Sequence, residues 1–246
     1  MRVYPIIAAV LAAMALASAQ QVPLPRPRPP GLGPAAAPEP SACQAELASR
    51  AVFEPLPPLV GPGGCGAPDV VRLDAVIMPD KTHVALQPPP TLRCTMAGAV
   101  ADWVRADLGP QAAEMGAPMK AIENYDSYDC RGMNRVTGAK LSEHGRANAL
   151  DLRSLTLADG RTIHPTDVAV SRDFRERMRA SACERFATVL GPGSDGYHEE
   201  HIHVDLAERH GGYRICHWEI REPAPPAPVV NVPLPRPRPP FSLAGH

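Results

Sequence analysis

Three histidines crowd into the stretch YHEEHIHVDL near the end of the chain. They are His198, His201 and His203, and one residue separates the last two. In a β-strand, residues two apart point to the same side of the sheet, so we expect His201 and His203 to face the same way. Two imidazolium cations in that arrangement would repel each other, whereas a metal ion could use one or both rings as ligands. The stretch therefore indicates part of a metal site.

A second stretch, SEHGRANALD at residues 142–151, places a histidine and an aspartate seven positions apart. Catalytic zinc sites use three protein ligands, often histidine nitrogens and a carboxylate oxygen, and leave the fourth position to water. Gly145 and Ala147 are small enough to let the loop fold back between His144 and Asp151. Two ligands from this loop and one from the histidine-rich strand would make a zinc site of two histidines and one aspartate.

The elements that must position these residues follow from hydrophobic periodicity. Runs of β-branched or alternating residues predict strands at residues 70–78, 119–130 and 201–207, and two more within 148–163 around an Asp159-Gly160 turn. Apolar residues at helical spacing predict helices at residues 91–109, ending at Gly109, and at 171–190, with Ser171 as the N-cap. Together they predict an α+β fold, a mainly antiparallel sheet with helices packed on it.

The N-terminus has the form of a targeting segment. Arg2 precedes the apolar run IIAAVLAAMALA, and the small residues from Ala17 to Ala19 match the pattern of a signal-peptidase site. We expect cleavage after Ala19, with an uncleaved anchor as the alternative. No second long apolar run follows, so the mature chain is expected to be periplasmic and to have no membrane span.

Proline divides the rest of the chain. The 31 prolines concentrate towards both ends, which predicts a signal peptide at 1–19, a linker at 20–41, a domain at 42–221 and a tail at 222–246. The segment VPLPRPRPP occurs at residues 22–30 and again at 232–240. Such segments favour extended polyproline II over a packed core, so both flanks are expected to be disordered. They could act as spacers, as docking peptides for a protein partner, or as basic arms on an anionic wall polymer.

Charge and cysteine content limit the functional classes. The formal net charge of −1 gives no electrostatic reason to expect a nucleic-acid partner. Six cysteines in an exported chain favour three disulfides, although the sequence alone does not choose their pairing. None of them lies in a CxxC pair, which argues against a zinc ribbon or a thioredoxin-like site.

Several motifs together resemble a known family. They are RCTMAGAVADWV, SYDCR, LSEH followed by ALD, FATVLGPG and HEEHIHVDLA. Over about residues 65–210 the chain resembles the bacterial extensin-like C-terminal domain proteins, which fall in the broad group of lysostaphin-type and D-Ala-D-Ala metallopeptidases. The resemblance implies a zinc-peptidase-like core with Zn²⁺ held by His144, Asp151 and His203.

Other residues are candidates for catalysis and substrate binding. The resemblance makes His201 the catalytic base, although related enzymes with an ExxH motif use a glutamate at the position of Glu200. Arg131 is the candidate cation for an oxyanion or a substrate carboxylate, because an arginine fork can bind a carboxylate through two hydrogen bonds. Tyr128 is expected to line the cleft. Ser142 is a candidate substrate contact whose hydroxyl could instead hold the loop backbone.

Two details stay open in the sequence. The family pattern usually has glycine three residues after the first ligand, where this chain has Ala147, so the loop could follow a different path. Asp205, on the same strand face as His203, could accept a hydrogen bond from that ligand or could be a surface charge.

The expected function is hydrolysis of amide bonds in peptidoglycan stem peptides or cross-links, with a zinc-activated water as the nucleophile. The alternative is a non-catalytic module that binds cell wall through the same cleft and the proline-rich arms. The fourth zinc position separates the two, because a structural zinc is closed by a fourth protein ligand. A fourth bond from His198 or His201 would favour the binding module.

Overall fold

A computed structural model of the protein describes residues 39–223. The predicted signal peptide, both VPLPRPRPP segments and almost all of the proline-rich linker and tail lie outside the described residues. Within this range there are four α-helices: α1 (Ala42–Leu47), α2 (Cys94–Trp103), α3 (Gly109–Glu114) and α4 (Arg172–Arg185). A π-helical turn, Val104–Leu108, joins α2 to α3. None of the described helices has the length and apolar character needed to cross a membrane.

Twelve strands form two sheets in the same part of the chain. They are β1 (Ala51–Leu56), β2 (Leu59–Val60), β3 (Gly66–Ala67), β4 (Val70–Ile77), β5 (His83–Gln87), β6 (Thr91–Arg93), β7 (Met119–Asp126), β8 (Ala149–Leu157), β9 (Thr162–Ile163), β10 (Thr188–Leu190), β11 (Ile202–Asp205) and β12 (Ile215–His217). The large sheet has the order β1-β4-β5-β7-β8-β11-β10-β12, with β6 on β4 and β9 on β8, and β2 pairs with β3. The β5–β7 and β10–β12 pairs are parallel and the others antiparallel. The predicted α+β class is confirmed.

The strand predictions agree with this sheet. The run at 70–78 is β4, the run at 119–130 contains β7, and the predicted hairpin is formed by β8 and β9. The histidine-rich run at 201–207 contains β11, and His201 lies one residue before that strand.

The helix predicted at residues 91–109 is wrong at both ends. Its first three residues form β6, which pairs with β4, and helical structure continues through the π-turn to Glu114. Gly109 does not end the helix, because its own backbone is helical, with φ −61°. A Cβ atom at this position would collide with the methyl group of Met78. Gly109 therefore lets Met78 pack closely against the helical segment and does not end it.

The helix predicted at residues 171–190 is too long. Its start is confirmed, because the Ser171 hydroxyl accepts a hydrogen bond from Phe174 N–H at 3.5 Å and caps α4. Its last residues form β10 instead, because they pair with β11 in the sheet.

The core lies between the large sheet and the helices α2 and α4. Trp103 and Phe186 meet edge to face in it, with ring centroids 5.3 Å apart. The two central strands β8 and β11 contribute alternate residues to this core: Leu150, Leu152, Ile202 and Val204. Because side chains alternate along a strand, the residues between these four point to the opposite face of the sheet.

Three disulfides connect peripheral segments to this frame, as the cysteine count predicts. They are Cys43–Cys94, Cys65–Cys130 and Cys183–Cys216. All six cysteines of the sequence lie in the described range, and none of them is free.

Candidate metal centre

Two of the three predicted ligands lie side by side on neighbouring strands. Asp151 on β8 and His203 on β11 are directly paired across the antiparallel ladder. Both alternate with core residues, so their side chains point to the sheet face opposite the core. Asp151 Oδ1 and His203 Nδ1 are 2.9 Å apart, and both residues are buried.

The third predicted ligand, His144, comes from a single 3-10 turn, His144–Arg146. The Ser142 hydroxyl accepts a hydrogen bond from His144 N–H at 3.3 Å and so holds the start of the turn. Ala147 ends the turn with φ 51° and ψ 31°, in the left-handed region that glycine adopts at the lowest cost. The alanine therefore takes the backbone conformation suited to glycine, and the loop still brings His144 to the sheet.

The three ligand atoms form a compact triangle. His144 Nε2 lies 3.2 Å from Asp151 Oδ1 and 3.1 Å from His203 Nδ1, and the third side is 2.9 Å. Two ligand atoms of a tetrahedral zinc, each about 2.0–2.1 Å from the ion, are about 3.3 Å apart. The triangle therefore fits a zinc ion after small outward shifts of the side chains. We call these three residues the ligand triangle.

Hydrogen bonds on the far side of each ring select the nitrogen that faces the ligand triangle. His144 Nδ1 donates to the Ser127 carbonyl at 2.5 Å, which leaves Nε2 for a metal. His203 Nε2 donates to Asp205 Oδ2 at 3.1 Å, which leaves Nδ1. Histidine ligands usually have an outer partner of this kind. Asp205 is buried and pairs with a predicted ligand, so it is not a surface charge.

The charges of the site suit a bound cation. Burial works to raise the pKa of Asp151, but hydrogen bonds from His144 and His203 outweigh it and hold that pKa well below its usual range. Burial works to lower the pKa of His203, but Asp151 and Asp205 outweigh it and raise the pKa to about 9. The metal-free His203 ring therefore carries an extra proton at neutral pH, and a metal would have to displace it.

The ligand triangle opens into a cleft with a volume of about 720 Å³. Residues from β7 and from several loops line it, among them Tyr125, Arg131, Tyr197, His198 and His201. In residues 39–223, no fourth His, Cys, Asp or Glu offers a ligand atom within 4.8 Å of all three members of the triangle. His198 lies close, with its ring centroid 5.6 Å from that of His203, but it is not a member. The candidate site thus offers three potential protein ligands and, among the described residues, no fourth.

Comparison with known families agrees with the motifs. The family model described as the extensin-like protein C-terminus matches residues 41–217. The chain belongs to this extensin-like family. No curated protein and no solved structure gives a match to it. The family match runs from α1 to β12, so the extensin-like domain contains the whole ligand triangle.

The extensin-like domain places Arg131 and Ser142 in the cleft wall. Arg131 is held there by two carboxylates, since its Nε lies 3.0 Å from Asp129 and its Nη2 lies 2.9 Å from Asp126. Its Nη1 has no partner among the described residues. Ser142 lines the cleft while its hydroxyl holds the turn that carries His144.

The two candidate bases of the extensin-like domain lie in different surroundings. His201 lines the cleft, and its Nε2 lies 3.4 Å from Asp151 Oδ2. Burial lowers the pKa of the His201 ring although Asp151 opposes the effect. Glu200 is not part of the cleft wall; its side chain is 74% exposed and pairs with Arg153 at 3.5 Å. Of the two residues, only His201 lies in the cleft wall.

Tyr128 does not line the cleft, contrary to the prediction. Its ring packs against a small apolar cluster of Ala67, Val70 and Ala147, and burial of the ring there holds it away from the cleft. Tyr125, three residues earlier, lines the cleft instead.

Two further features of the extensin-like site are not among the predicted ones. His198 Nδ1 contacts Asp195 Oδ1 at 2.7 Å, and this carboxylate also accepts a hydrogen bond from Tyr197 N–H. The three-residue spacing from Asp195 to His198 was the signal that could have found this pair. No local signal marks Tyr125 as a cleft residue, because its position depends on how two strands pair.

Proposed function

We propose that this extensin-like protein is a zinc-dependent peptidase that hydrolyses amide bonds in the peptides of peptidoglycan. The observation that carries the proposal is the open ligand triangle of His144, Asp151 and His203 beside a cleft. A structural zinc is closed by four protein ligands, whereas a catalytic zinc keeps one position for water. The ligand triangle has the catalytic form.

The residues around the ligand triangle prepare it for a metal. A zinc ion bound there would lower the pKa of water and polarise an amide carbonyl. Asp151 supplies the negative charge. The Ser127 carbonyl and the Asp205 carboxylate hold His144 and His203 so that the correct nitrogen of each ring faces inward.

His201 is the residue in position to accept the proton of the attacking water and to deliver it to the leaving amine. It lines the cleft without belonging to the ligand triangle, and its Nε2 is 3.4 Å from the carboxylate of Asp151. Glu200 faces solvent and Arg153 instead. The proposal therefore assigns proton transfer to His201.

Arg131 is assigned to substrate binding. Two carboxylates hold its guanidinium in the cleft wall, which fixes the direction of the remaining Nη1. That nitrogen can donate to a carbonyl or carboxylate oxygen of a bound peptide. Ser142 supports binding indirectly, because its hydroxyl holds the turn of a ligand.

Peptidoglycan as the substrate and the periplasm as the compartment are supported by the sequence. The motifs LSEH…ALD and HIHVDLA resemble those of zinc peptidases that act on cell walls, and the N-terminal apolar run resembles an export signal. Three disulfides suit an oxidising compartment.

The test uses residues 20–246 and purified muropeptides. Zinc-loaded protein should shorten stem peptides or open cross-links, a chelator should stop the reaction, and added zinc should restore it. His203→Ala should neither hold zinc nor cleave. His83→Ala, which changes an exposed histidine on β5, should behave as the wild type.

The same experiment separates the proposal from its rival. No cleavage by protein that is verified to hold zinc, together with retention on purified cell-wall fragments, would support a non-catalytic wall-binding module instead.

A further inference from the structure

Two irregularities in the sheet lie beside the proposed base. The Cα pairing of β7 with β8 shifts twice between Glu123 and Asp126. The first shift leaves Arg153 of β8 without a partner across the ladder, and the second leaves Tyr125 of β7 without one. An extra residue on a strand is a β-bulge, and bulges beside active sites re-aim a side chain.

The two residues without ladder partners contact each other. The guanidinium carbon of Arg153 lies 5.0 Å from the centroid of the Tyr125 ring, which is a cation–π contact. The ring centroids of Tyr125 and His201 are also 5.0 Å apart, with 34° between the ring planes. The two bulges therefore build a stack of Arg153, Tyr125 and His201 that ends on the proposed base.

Glu200 contacts the arginine end of this stack. Its carboxylate lies 3.5 Å from Arg153 Nη2, and it directly precedes His201 in the chain. This glutamate therefore faces Arg153 and solvent and not the cleft.

Hydrophobic burial does not explain the position of Tyr125. The residue is 49% exposed, so its ring gains less from burial than that of a core tyrosine does. Its hydroxyl makes no hydrogen bond to another of the described residues, whereas the flat ring contacts both Arg153 and His201. The contacts of this side chain with the rest of the protein are therefore made by its ring.

We infer that Tyr125 is a positioning residue for His201. Its ring holds the imidazole in the orientation that faces the cleft, while Arg153 and Glu200 hold the ring from the other end of the stack. The inference rests on the proposed function, because the orientation of His201 matters for hydrolysis only if His201 transfers the proton.

The kinetic test compares Tyr125→Leu with Tyr125→Phe. The phenylalanine keeps the ring, so its kcat on muropeptides should stay close to that of the wild type. The leucine removes the ring, and kcat should fall about 10- to 100-fold, as expected for a misplaced catalytic group, while KM and zinc content stay near the wild-type values. Tyr213→Leu removes another exposed tyrosine outside the cleft and should change neither constant.

A second readout does not depend on activity. In the metal-free protein, NMR signals of the His201 ring protons should move in Tyr125→Leu and remain in place in Tyr125→Phe, because an aromatic neighbour shifts them. If the wild type cleaves nothing but these signals respond as expected, the proposed function fails while the positioning contact stands. Unmoved His201 signals, or full kcat in Tyr125→Leu, would overturn the inference.

Discussion

Removal of the Asp205 carboxylate should show most clearly that the site is built for a metal. Asp205 Oδ2 accepts the hydrogen bond from His203 Nε2 at 3.1 Å, and its Oδ1 accepts one from Ala207 N–H at 2.9 Å. An asparagine has the same shape but only one acceptor oxygen. Asp205→Asn must therefore turn an NH2 group towards one of two N–H donors, and one of the two hydrogen bonds is lost inside the protein.

The expected consequence is a loss of zinc affinity of about 10- to 100-fold, the usual effect of removing such a partner. This equals about 1.4–2.7 kcal/mol, comparable with a hydrogen bond to a charged group, which contributes about 1.5–3 kcal/mol. Competition with a chromogenic chelator at fixed pH measures the affinity, and circular dichroism checks that the variant is folded.

Asp195→Asn is the matched control. Asp195 Oδ1 also contacts a histidine, His198 Nδ1, at 2.7 Å, but His198 is outside the ligand triangle. The zinc affinity of Asp195→Asn should therefore stay close to that of the wild type. Equal affinities for the wild type and a folded Asp205→Asn would refute the reasoning, because they would show that Asp205 does not orient a ligand.

Three further predictions concern pH, the ligand loop and α2. The pKa of His203 is raised to about 9 from 6.5, so the stability that this gives the metal-free protein is present below about pH 6.5 and lost as the pH rises through 9. Calorimetry should show that the free energy of unfolding of the metal-free protein falls by an amount on the order of 3 kcal/mol over this pH range. Zinc-saturated protein should not show this fall, because zinc replaces the proton on His203. Equal pH profiles with and without zinc would contradict the prediction. Gly145→Ala should lower stability by about 1–3 kcal/mol, because its Cβ would lie 2.6 Å from Leu141 Cδ1; an unchanged melting temperature would contradict the close packing of this loop. Gly98→Ala should instead raise stability by about 1 kcal/mol, because alanine is favoured over glycine inside a helix. The new Cβ would have room, since the atom nearest to it would be Arg50 Nη2 at 3.6 Å. A lower melting temperature would show that α2 has no room for a methyl group.

The residues of the ligand triangle could be predicted from the sequence because strand alternation and one short loop constrain their positions. The HxH pattern places His201 and His203 on one side of a strand, and the short loop from His144 leads directly into the strand that carries Asp151. The family resemblance selected these residues, and the structure brings them together. The sequence could not decide whether Asp205 accepts a hydrogen bond from His203 or is a surface charge. Strand alternation predicts the side of the sheet on which Asp205 lies but not its partner.

The cleft wall could not be predicted in the same way. Whether Tyr125 or Tyr128 reaches the cleft depends on two bulges, and these depend on how β7 pairs with β8. The extent of α2 and α3 does not follow from the sequence for a similar reason. Glycine commonly ends a helix, whereas Gly109 lies inside the helical segment, where Met78 packs against it. Local patterns therefore predicted the type of the longer elements near the site but placed β6 and β10 inside helices. Contacts distant in the sequence determine where elements end and which side chains meet.

The coordination of zinc tests the account most directly. Anomalous diffraction from crystals of zinc-loaded protein should show one ion bound by His144 Nε2, Asp151 and His203 Nδ1, with a fourth ligand that does not come from the protein. A zinc ion closed by a fourth protein ligand, such as His198 or His201, would contradict the proposed hydrolase. A zinc-loaded protein with no metal at the ligand triangle would contradict the site itself.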